Sequence, residues 1–337
     1  MTRGVITGRQ GVDVRGATAS AAGTFGELLQ GVLPDGTDFL VTLPIALRSH
    51  ATFRLGHGEE LVIYPSHKRK AEAVARRMLD AAGHHGGGTL VIDSAIPTGK
   101  GLASSSADLV ATVRAVGRCL GLAIDPASIE NWIRGVEPTD GVMHEGIVAF
   151  DHCSVRLRHE ISHIPPLAVV AIDEGGRLDT VSFNRMRKPY TADQRGEYAE
   201  LLQHLTAALH RGVLARVGEI STRSAELAEL ANPKRTWPAL RDAAARTGAL
   251  GVVTTHSGTM HGLLLDAAAP DHALTLIAAR EACAAICRGD DDPARNDPAR
   301  SDPARRATAA RADTGPPTAI SRRVTVFRTD TDPGSEA

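Results

Sequence analysis

The sequence predicts a two-domain protein in which α-helices and β-strands are mixed along the chain. Its length of 337 residues favours two domains over one. A strand, a glycine-rich loop and a helix follow one another over residues 89–120, and a strand–turn–strand pattern covers residues 249–266. Hydrophobic residues make up 42% of the chain but aromatic residues only 3%, so Leu, Val, Ile and Ala must form most of the core.

The charge balance excludes two classes of partner. The chain carries 38 basic and 39 acidic residues, which gives a net charge of −1. Such a balance leaves no broad basic surface for nucleic acid or for an anionic membrane. The sequence has no run of about 18 apolar residues and no apolar signal segment near residue 1. We therefore expect a cytoplasmic protein whose partners include neither nucleic acid nor a membrane.

The N-terminal part combines a loose leader with short strands. Residues 1–16 are polar and glycine-rich, and they predict the leader. Between residues 17 and 55, β-like runs alternate with turn signals, and residues 39–45 and 51–55 are predicted strands. Three glycines surround Glu27 in the run AAGTFGELLQG. Glu27 is therefore either an exposed acid in a turn or an acid that contacts a ligand.

The segment IPTGKGLASSSAD, residues 96–108, is the strongest functional signal in the chain. It joins a predicted strand at residues 89–92 to a predicted helix that continues to Leu120. Unpaired N–H groups and the helix dipole make such a helix start an anion site, and glycines let the backbone approach a phosphate. Lys100 adds a cation, and the serine hydroxyls lie where they could cap the helix or bind Mg²⁺. The spacing is neither that of a Walker A loop nor GxGxxG, and an ordinary capped helix is the alternative.

Two carboxylates follow this loop. The pair Asp125–Pro126 predicts the start of a helix that runs to Ile133. Glu137 and Asp140 come next, three residues apart, so on a helical turn they would share a face. In a phosphoryl transferase, one such carboxylate can hold Mg²⁺ while the other orients or deprotonates the attacking hydroxyl. A solvated acidic helix face is the alternative.

The C-terminal half is predicted to begin after a break near residues 159–166. A hairpin tip in this half carries His256, Ser257, Gly258 and Thr259, whose backbone N–H groups could approach a phosphate or carboxylate; a plain hairpin is the alternative. The other predicted elements are a buried strand at residues 167–172 and helices at residues 68–82, 190–209, 214–230, 238–247 and 273–287.

A five-residue repeat interrupts the pattern near the C-terminus. DPARN, DPARS and DPARR follow one another over residues 292–306. A proline in every repeat and the lack of large apolar residues predict a disordered insertion over residues 289–318. Residues 322–328 alternate as one closing edge strand, and residues 331–337 are a loose tail.

Several clusters of histidine and cysteine suggest zinc, but none has the required spacing. The four cysteines lack a CxxC pair and are predicted to be buried thiols. His84 and His85 are adjacent loop residues, and the set His144, Glu145, His152 and Cys153 lacks ligand spacing. The basic residues Arg185, Arg187 and Lys188 either contact nucleotide phosphates or lie in a solvated loop.

Three segments, in the same order, resemble motifs of the GHMP kinases. In the glycine-rich segment, the matching residues are Pro97, Gly101, Leu102, Ser104 and Ser105, whereas Ala103 replaces a glycine and Ser106 an alanine. AAGTFGELLQG resembles the first motif of the family, and the tip at residues 256–259 resembles the third. The form PTGKGLASSSAD is similar to that of the L-threonine kinases of cobalamin biosynthesis, which belong to this family.

The resemblance implies an α+β fold with two domains, and it implies ATP and Mg²⁺ as cofactors. Residues 17–160 would form an ATP-binding domain like domain 2 of ribosomal protein S5, and residues 161–330 a ferredoxin-like domain. Asp140 and Lys100 would be catalytic, and Ser104, Ser105 and Glu137 would hold the metal. ATP would contact Pro97, Gly99, Lys100, Gly101, Leu102, Ala103, Ser104, Ser105 and Ser106. The substrate would contact Glu27 through its amine, together with His256, Ser257, Gly258 and Thr259.

The activity implied is phosphorylation of a small hydroxy amino acid, L-threonine, to O-phospho-L-threonine, a precursor of the cobalamin side arm. Two alternatives stay open. The acceptor could be serine, homoserine or a specialised-metabolite precursor, because the residues that contact its carboxylate and methyl group cannot be placed from sequence. The chain could also be a non-catalytic ATP-binding regulator.

Overall fold

The computed structural model describes residues 16–56, 58–176, 183, 186, 188–289 and 323–331. The strands are β1 (Gly16–Val32), β2 (Asp38–Leu55), β3 (Leu61–Tyr64), β4 (Gly88–Ser94), β5 (Ile147–Asp151), β6 (Arg156–Ser162), β7 (Leu167–Asp173), β8 (Gly251–Thr254), β9 (Met260–Asp266) and β10 (Arg323–Arg328). The helices are α1 (Arg69–Ala81), α2 (Ser104–Leu120), α3 (Pro126–Ile133), α4 (Ala192–His210), α5 (Leu214–Ala228), α6 (Trp237–Thr247) and α7 (His272–Arg288).

A single sheet runs through both halves of the chain in the order β10-β7-β9-β8-β1-β2-β4-β3, with β5 and β6 paired beside β2. The pairs are antiparallel except for β3 with β4. The join between the halves is narrow: β1 meets β8 in register at Glu27 and Thr254. The residue that the sequence marked as a candidate acid therefore lies on the seam of the sheet.

The long pair β1 and β2 forms the centre of the sheet. The two predicted strands at residues 39–45 and 51–55 are one strand, so the predicted break between them is wrong. Polar side chains at this point have partners that let the strand continue: Arg48 donates to the hydroxyl of Ser20 at 3.0 Å. Ser49 donates to Asp108 of α2 at 2.6 Å. A satisfied polar group costs a buried strand little.

The main core lies where α2 covers β1, β2 and β4, with α1 packed against α2 and β3. The apolar face of α1 is buried through Ala71, Val74, Ala75, Met78 and Leu79, as the periodicity predicted. α2 is buried along much of its length, which fixes the start of this helix against the sheet. A second cluster beneath α6 and α7 packs on β7, β8 and β9 and includes Ala168, Val170, Trp237, Leu240, Leu263 and Cys283.

Most of the predicted elements in the C-terminal half are confirmed. β7 is fully buried apart from its last residue, the hairpin β8–β9 forms where it was predicted, and β10 closes the sheet edge by pairing with β7. The DPAR repeats and most of the predicted leader and tail lie outside the described residues. The division at residues 160 and 161 stays a prediction. Within the part of the chain described, none of the helices has the length and apolarity needed to span a membrane.

Candidate active site

The start of α2 has the backbone geometry of an anion site. Gly99 and Gly101 have φ values of +75° and +77°, and the N-cap residue Ala103 is also left-handed, at φ +58°. Among the described residues no side chain caps this helix, so the alternative of an ordinary capped helix finds no support. The reason is that Ala103, and not a serine, occupies the cap position. The first N–H groups of α2 are thus left for a ligand.

The loop before α2 contacts both of the other predicted motifs. The backbone N–H of Thr24 in β1 donates to the carbonyl of Leu102 at 3.3 Å. A Cβ on Gly101 would lie 2.5 Å from the Cβ of Thr255, and a Cβ on Gly258 would collide with the carbonyl of Lys100. The glycines therefore allow the loop and the β8–β9 tip to touch, so the structure brings the three segments together.

Glu137 and Asp140 both bond to serines in the first turn of α2. Ser105 donates to Glu137, and Ser106 donates to Asp140 at 3.2 Å. These two acids lie in an irregular segment, so the predicted helical turn is wrong. Pro138 between them explains the difference, because proline disfavours helical geometry in the residue before it. The two carboxylates are brought together by α2 and not by a helix of their own.

Asp140 has a carboxyl group with an altered proton affinity. Its pKa is raised from 3.8 to about 6, chiefly by burial and further by the charge of Glu137, while the hydrogen bond from Ser106 opposes the rise. A carboxylate with a pKa near 6 is still mostly ionised at pH 7 and is a better proton acceptor than an ordinary aspartate. Asp140 thus fits the role of the residue that orients or deprotonates a hydroxyl.

Glu27 is buried in β1, with 4% of its surface exposed, so the interpretation as an exposed acid in a turn is wrong. Burial raises its pKa well above 4.5, and the charge of Asp140 adds to the rise; the backbone N–H of His256 and the charge of Lys234 oppose it. Its Oε2 atom has no hydrogen-bond partner within the described part of the chain. Glu27 and Asp140 therefore lie close enough for their charges to interact.

Three more buried hydroxyl oxygens on the same elements lack partners among the residues described. They belong to Thr24 of β1, Thr139 beside Asp140, and Thr254 opposite Glu27. Unpaired buried polar groups are costly and uncommon in proteins. Thr139 and Thr254 lie beside the two carboxylates, so their hydroxyls are available to a polar ligand at that position.

Lys100 is held by the C-terminal half. Its ammonium forms an ion pair with Asp173 at 2.6 Å and donates to the carbonyl of Gly176 at 2.9 Å. Burial raises the pKa of Asp173, but hydrogen bonds from Lys100 and Thr259 outweigh this and lower it overall. Lys100 is thus at the loop, as predicted, and its charge is matched by Asp173.

The predicted substrate residues of the β8–β9 tip divide into two groups. His256 is turned toward Gln30 of β1, whose Oε1 lies 2.7 Å from its Nδ1, and burial lowers the pKa of His256 well below 6.5. Thr259 donates to Asp173 at 2.7 Å, so this residue supports Lys100. Ser257 is buried and Gly258 lies against the loop before α2.

Beside His256 there is a small cavity of about 10 Å³, lined by Gln30, Asp38, Phe183, Lys188, Asn232 and neighbouring residues. The ammonium of Lys188 lies 3.2 Å from the centre of the Phe183 ring, and burial lowers its pKa to about 8. The alternative that Lys188 lies in a solvated loop is therefore wrong. Arg185 and Arg187 of the same predicted cluster lie outside the described residues.

Two lysines at the site were missed by the sequence analysis. Lys234, after α5, is 5% exposed, and burial lowers its pKa to about 8 although the charges of Glu229, Glu174 and Glu27 oppose this. Lys70 of α1 pairs with Glu137. Lys70 resembles any exposed helix lysine in sequence, and Lys234 gives no local signal of its burial.

The zinc alternatives find no support in the described chain. No group of three His, Cys, Asp or Glu side chains is placed there to hold a metal ion. Cys119 and Cys283 are buried thiols as predicted, but Cys153 is exposed and Cys287 half-buried, so the expectation of buried thiols fails for these two. Magnesium makes a different demand, because it keeps several waters and takes few protein oxygens.

The residues present fit a nucleotide and Mg²⁺. The open N–H groups of α2 suit phosphates, and the close contact of Gly101 and Gly258 holds the β8–β9 tip against the loop before α2. The carboxylate of Glu137 and the hydroxyl of Ser105, already adjacent, are oxygen ligands of the kind that Mg²⁺ prefers. Ser104 is buried in the same turn.

Relatives of this chain are identified by sequence. The profile of the GHMP kinases N terminal domain matches residues 69–148, which include α1, the loop and both acids. An L-threonine kinase of Citrobacter freundii is 28% identical over 258 residues, which cover 74% of this chain and 86% of that protein. An L-threonine kinase of Salmonella typhimurium is 26% identical over 256 residues, with 74% and 83% covered.

Solved structures share the fold. A homoserine kinase from Cytophaga hutchinsonii superposes with a TM-score of 0.64 at 16% identity, covering 84% of this chain and 94% of that one. The galactokinase of Lactococcus lactis, complexed with galactose, gives 0.61 at 13% identity, with 81% and 90% covered. The predicted α+β fold of the GHMP kinases is thereby confirmed.

Residues 69–148 thus match the N-terminal domain of the GHMP kinases, and with the curated relatives they indicate an ATP-dependent phosphotransferase that acts on an alcohol group. The curated relatives of this chain within that class are L-threonine kinases, as the form of the glycine-rich segment indicated.

Proposed function

We propose that this protein transfers the terminal phosphate of ATP to the side-chain hydroxyl of an α-amino acid, and that this amino acid is L-threonine. The observation that carries the proposal is the pair of hydrogen bonds from Ser105 and Ser106 to Glu137 and Asp140 at the uncapped start of α2. This pair of bonds brings two carboxylates to one helix start, which supports Glu137 as the metal ligand and Asp140 as the proton acceptor. The names of the curated relatives support the choice of acceptor.

The chain's own groups account for the transfer. The N–H groups of α2 and the loop glycines hold the phosphates, while Lys100, held by Asp173, supplies charge at the loop. Glu137 and Ser105, with Ser104 beside them, would ligate Mg²⁺, which when bound neutralises charge on the transferred phosphoryl group. Asp140 accepts the proton of the acceptor hydroxyl and orients the hydroxyl oxygen for in-line attack.

The amino-acid part of the acceptor is matched by two buried groups of opposite charge. Glu27 has a buried carboxylate oxygen that finds no partner in the described chain, and it would bind the substrate ammonium. Lys234 interacts electrostatically with Glu27 and would bind the substrate carboxylate. Because Glu27 also neighbours Asp140, these three residues can hold the ammonium, carboxylate and hydroxyl of one small zwitterion.

The test is an assay of ADP release with ATP, Mg²⁺ and a panel of L-threonine, L-serine, L-homoserine and neutral alcohols, with mass spectrometry of the products. We expect O-phospho-L-threonine and the highest kcat/KM for L-threonine. Preference for L-serine or L-homoserine would keep the reaction and change the acceptor. Nucleotide binding without turnover on any acceptor would refute the kinase and leave the alternative of an ATP-binding regulator.

A product of this kind would feed cobalamin side-arm assembly, as the resemblance implies. Loss of cobalamin-dependent growth in a strain lacking this gene, restored by added O-phospho-L-threonine, is the expected result. Growth that needs no such supplement would contradict the pathway but not the reaction.

A further inference from the structure

Three consecutive cations occupy the start of α1, where the helix dipole disfavours them. Lys68, Arg69 and Lys70 lie at the positive end of this helix, and cations are normally found at the other end. Lys68 is paired with Asp108 of α2, and Arg69 with Glu72 of its own helix at 2.8 Å. Lys70 instead reaches across to Glu137 in the active site. Helix stability does not explain this placement.

The position of Lys70 relative to α2 is fixed by the ion pair of Lys68 with Asp108. The side chains of Lys68 and Asp108 are 16% and 4% exposed, and Asp108 also accepts from Ser49 of β2 at 2.6 Å. A buried, hydrogen-bonded ion pair of this kind has a defined geometry. The start of α1 is therefore pinned to the first turns of α2, and Lys70 projects toward the phosphate site.

The carboxylate of Glu137 links Lys70 to the first turn of α2. One oxygen of Glu137 accepts from Ser105 and the other pairs with Lys70. The side chain of Glu137 is 7% exposed, whereas that of Lys70 is 46% exposed. The acid is held in place, and the lysine has room to turn from Glu137 toward a ligand at the helix start.

Lys100 is already paired, and Lys70 can supply a further positive charge for a polyphosphate. Lys100, the cation of the loop, is matched by Asp173 at 2.6 Å, and both side chains are 18% exposed. Glu137 and Asp140 add negative charge where the phosphates would lie. A polyphosphate needs further positive charge there in addition to Mg²⁺.

We propose that Lys70 is a phosphate-contacting residue of the nucleotide site, whose ammonium binds the terminal phosphate oxygens of a nucleoside triphosphate seated at the start of α2. This inference rests on the proposed nucleotide site but not on the identity of the acceptor. It assigns a role to a residue of α1 outside the three motifs.

The test is titration calorimetry of the full chain with Mg²⁺ and a non-hydrolysable ATP analogue, and with adenosine. Lys70→Gln keeps a hydrogen-bond donor for Glu137 and removes the charge, Lys70→Arg keeps the charge, and Arg69→Ala is the matched control on the adjacent exposed cation. Lys70→Gln is expected to weaken the triphosphate analogue about tenfold to hundredfold and to leave adenosine unchanged. Lys70→Arg should retain most of the affinity, and Arg69→Ala all of it.

Unchanged affinity of Lys70→Gln for the analogue, or an equal loss for adenosine, would overturn the inference. A thermal melt without nucleotide shows whether the variants fold. If Lys70→Gln does not fold, Lys70→Arg provides the second measurement. If wild type binds the analogue but phosphorylates no amino acid, the proposed function fails and the role of Lys70 stands. If Lys70→Gln binds and turns over like wild type, only the role of Lys70 fails.

Discussion

Replacing Asp140 by Asn is expected to stabilise the fold at neutral pH while removing most of the activity. The pKa of Asp140 is raised from 3.8 to about 6 by burial and by Glu137, so the folded chain binds this proton more tightly than the unfolded chain does. At 1.36 kcal/mol per unit, the rise corresponds to about 3 kcal/mol. The ionised carboxylate is thus held in the fold at a cost.

The sign of the effect follows from the two pKa values. Below 3.8 the carboxyl is protonated in both states and has no cost. As the pH rises to about 6, the unfolded state loses its proton first, and the free energy of unfolding falls by about 3 kcal/mol. An asparagine has no such penalty, so the variant should gain stability over wild type with rising pH and reach its full advantage above pH 6.

The measurement is urea unfolding of both proteins between pH 4 and pH 8, beside the ADP-release assay. Turnover should fall by about a hundredfold to ten-thousandfold, while affinity for the ATP analogue is kept. Asp125→Asn is the matched control: Asp125 is an exposed cap of α3 that accepts from Ser128, and those hydrogen bonds lower its pKa. That variant should keep its turnover and show no gain at pH 8. Full activity in Asp140→Asn, or no added stability above pH 6, would refute the reasoning.

Three further substitutions test other parts of the site. Glu137→Gln should raise the Mg²⁺ concentration needed for half-maximal turnover by about tenfold, which a metal titration measures; an unchanged requirement would remove Glu137 from the metal site. Gly101 has φ +77°, and a Cβ there would lie 2.5 Å from that of Thr255, so Gly101→Ala should lower the free energy of unfolding by about 2–4 kcal/mol and abolish nucleotide binding. Gly83 is also left-handed but has open space around it, so the control Gly83→Ala should cost about 1 kcal/mol. Similar losses in the two variants would contradict the close contact at Gly101. Lys234→Met should raise the KM for the amino acid about tenfold to hundredfold without changing the KM for ATP. Burial lowers the pKa of Lys234 to about 8, so below that pH the charged lysine destabilises the fold. The variant should therefore also be more stable than wild type at pH 7.

The local parts of the site could be predicted because their signals are local. Glycines, a proline and serines between a strand and a helix describe a phosphate loop without reference to the rest of the chain. The β8–β9 hairpin and its tip were equally visible from alternation and turn residues. Their mutual contact, through Gly101, Gly258 and Thr255, was implied only by the family resemblance.

The two acids lie close together, as expected, but for a different reason from the one that their spacing suggested. Spacing of three residues suggested a shared helical face, but Pro138 and the left-handed Gly135 prevent a helix there. What holds Glu137 and Asp140 together is a pair of serines that lie more than thirty positions earlier. Proline between the acids was readable in the sequence; the serine contacts were not.

The burial of Glu27 could not be read from alternation. β1 has register shifts between Ala22 and Gly23, Thr24 and Glu27, and Glu27 and Leu29. Such bulges interrupt the two-residue period on which strand prediction depends, and they re-aim side chains near functional sites. Lys70 and Lys234 were missed for a related reason, since their roles depend on contacts between distant elements.

Under the proposed function, the charges of Glu27 and Lys234 are the reason to expect a zwitterion and not a neutral alcohol as the acceptor. Burial raises the pKa of Glu27 and lowers that of Lys234, so each group is pushed toward its neutral form. A neutral alcohol would bring no further opposite charge to either of these desolvated groups. An ammonium beside Glu27 and a carboxylate beside Lys234 would favour the charged form of both at once, and this gain is available only to a ligand that carries both charges at amino-acid spacing. Discrimination is therefore expected to come from these two buried groups, while the phosphate loop serves any acceptor whose hydroxyl reaches Asp140.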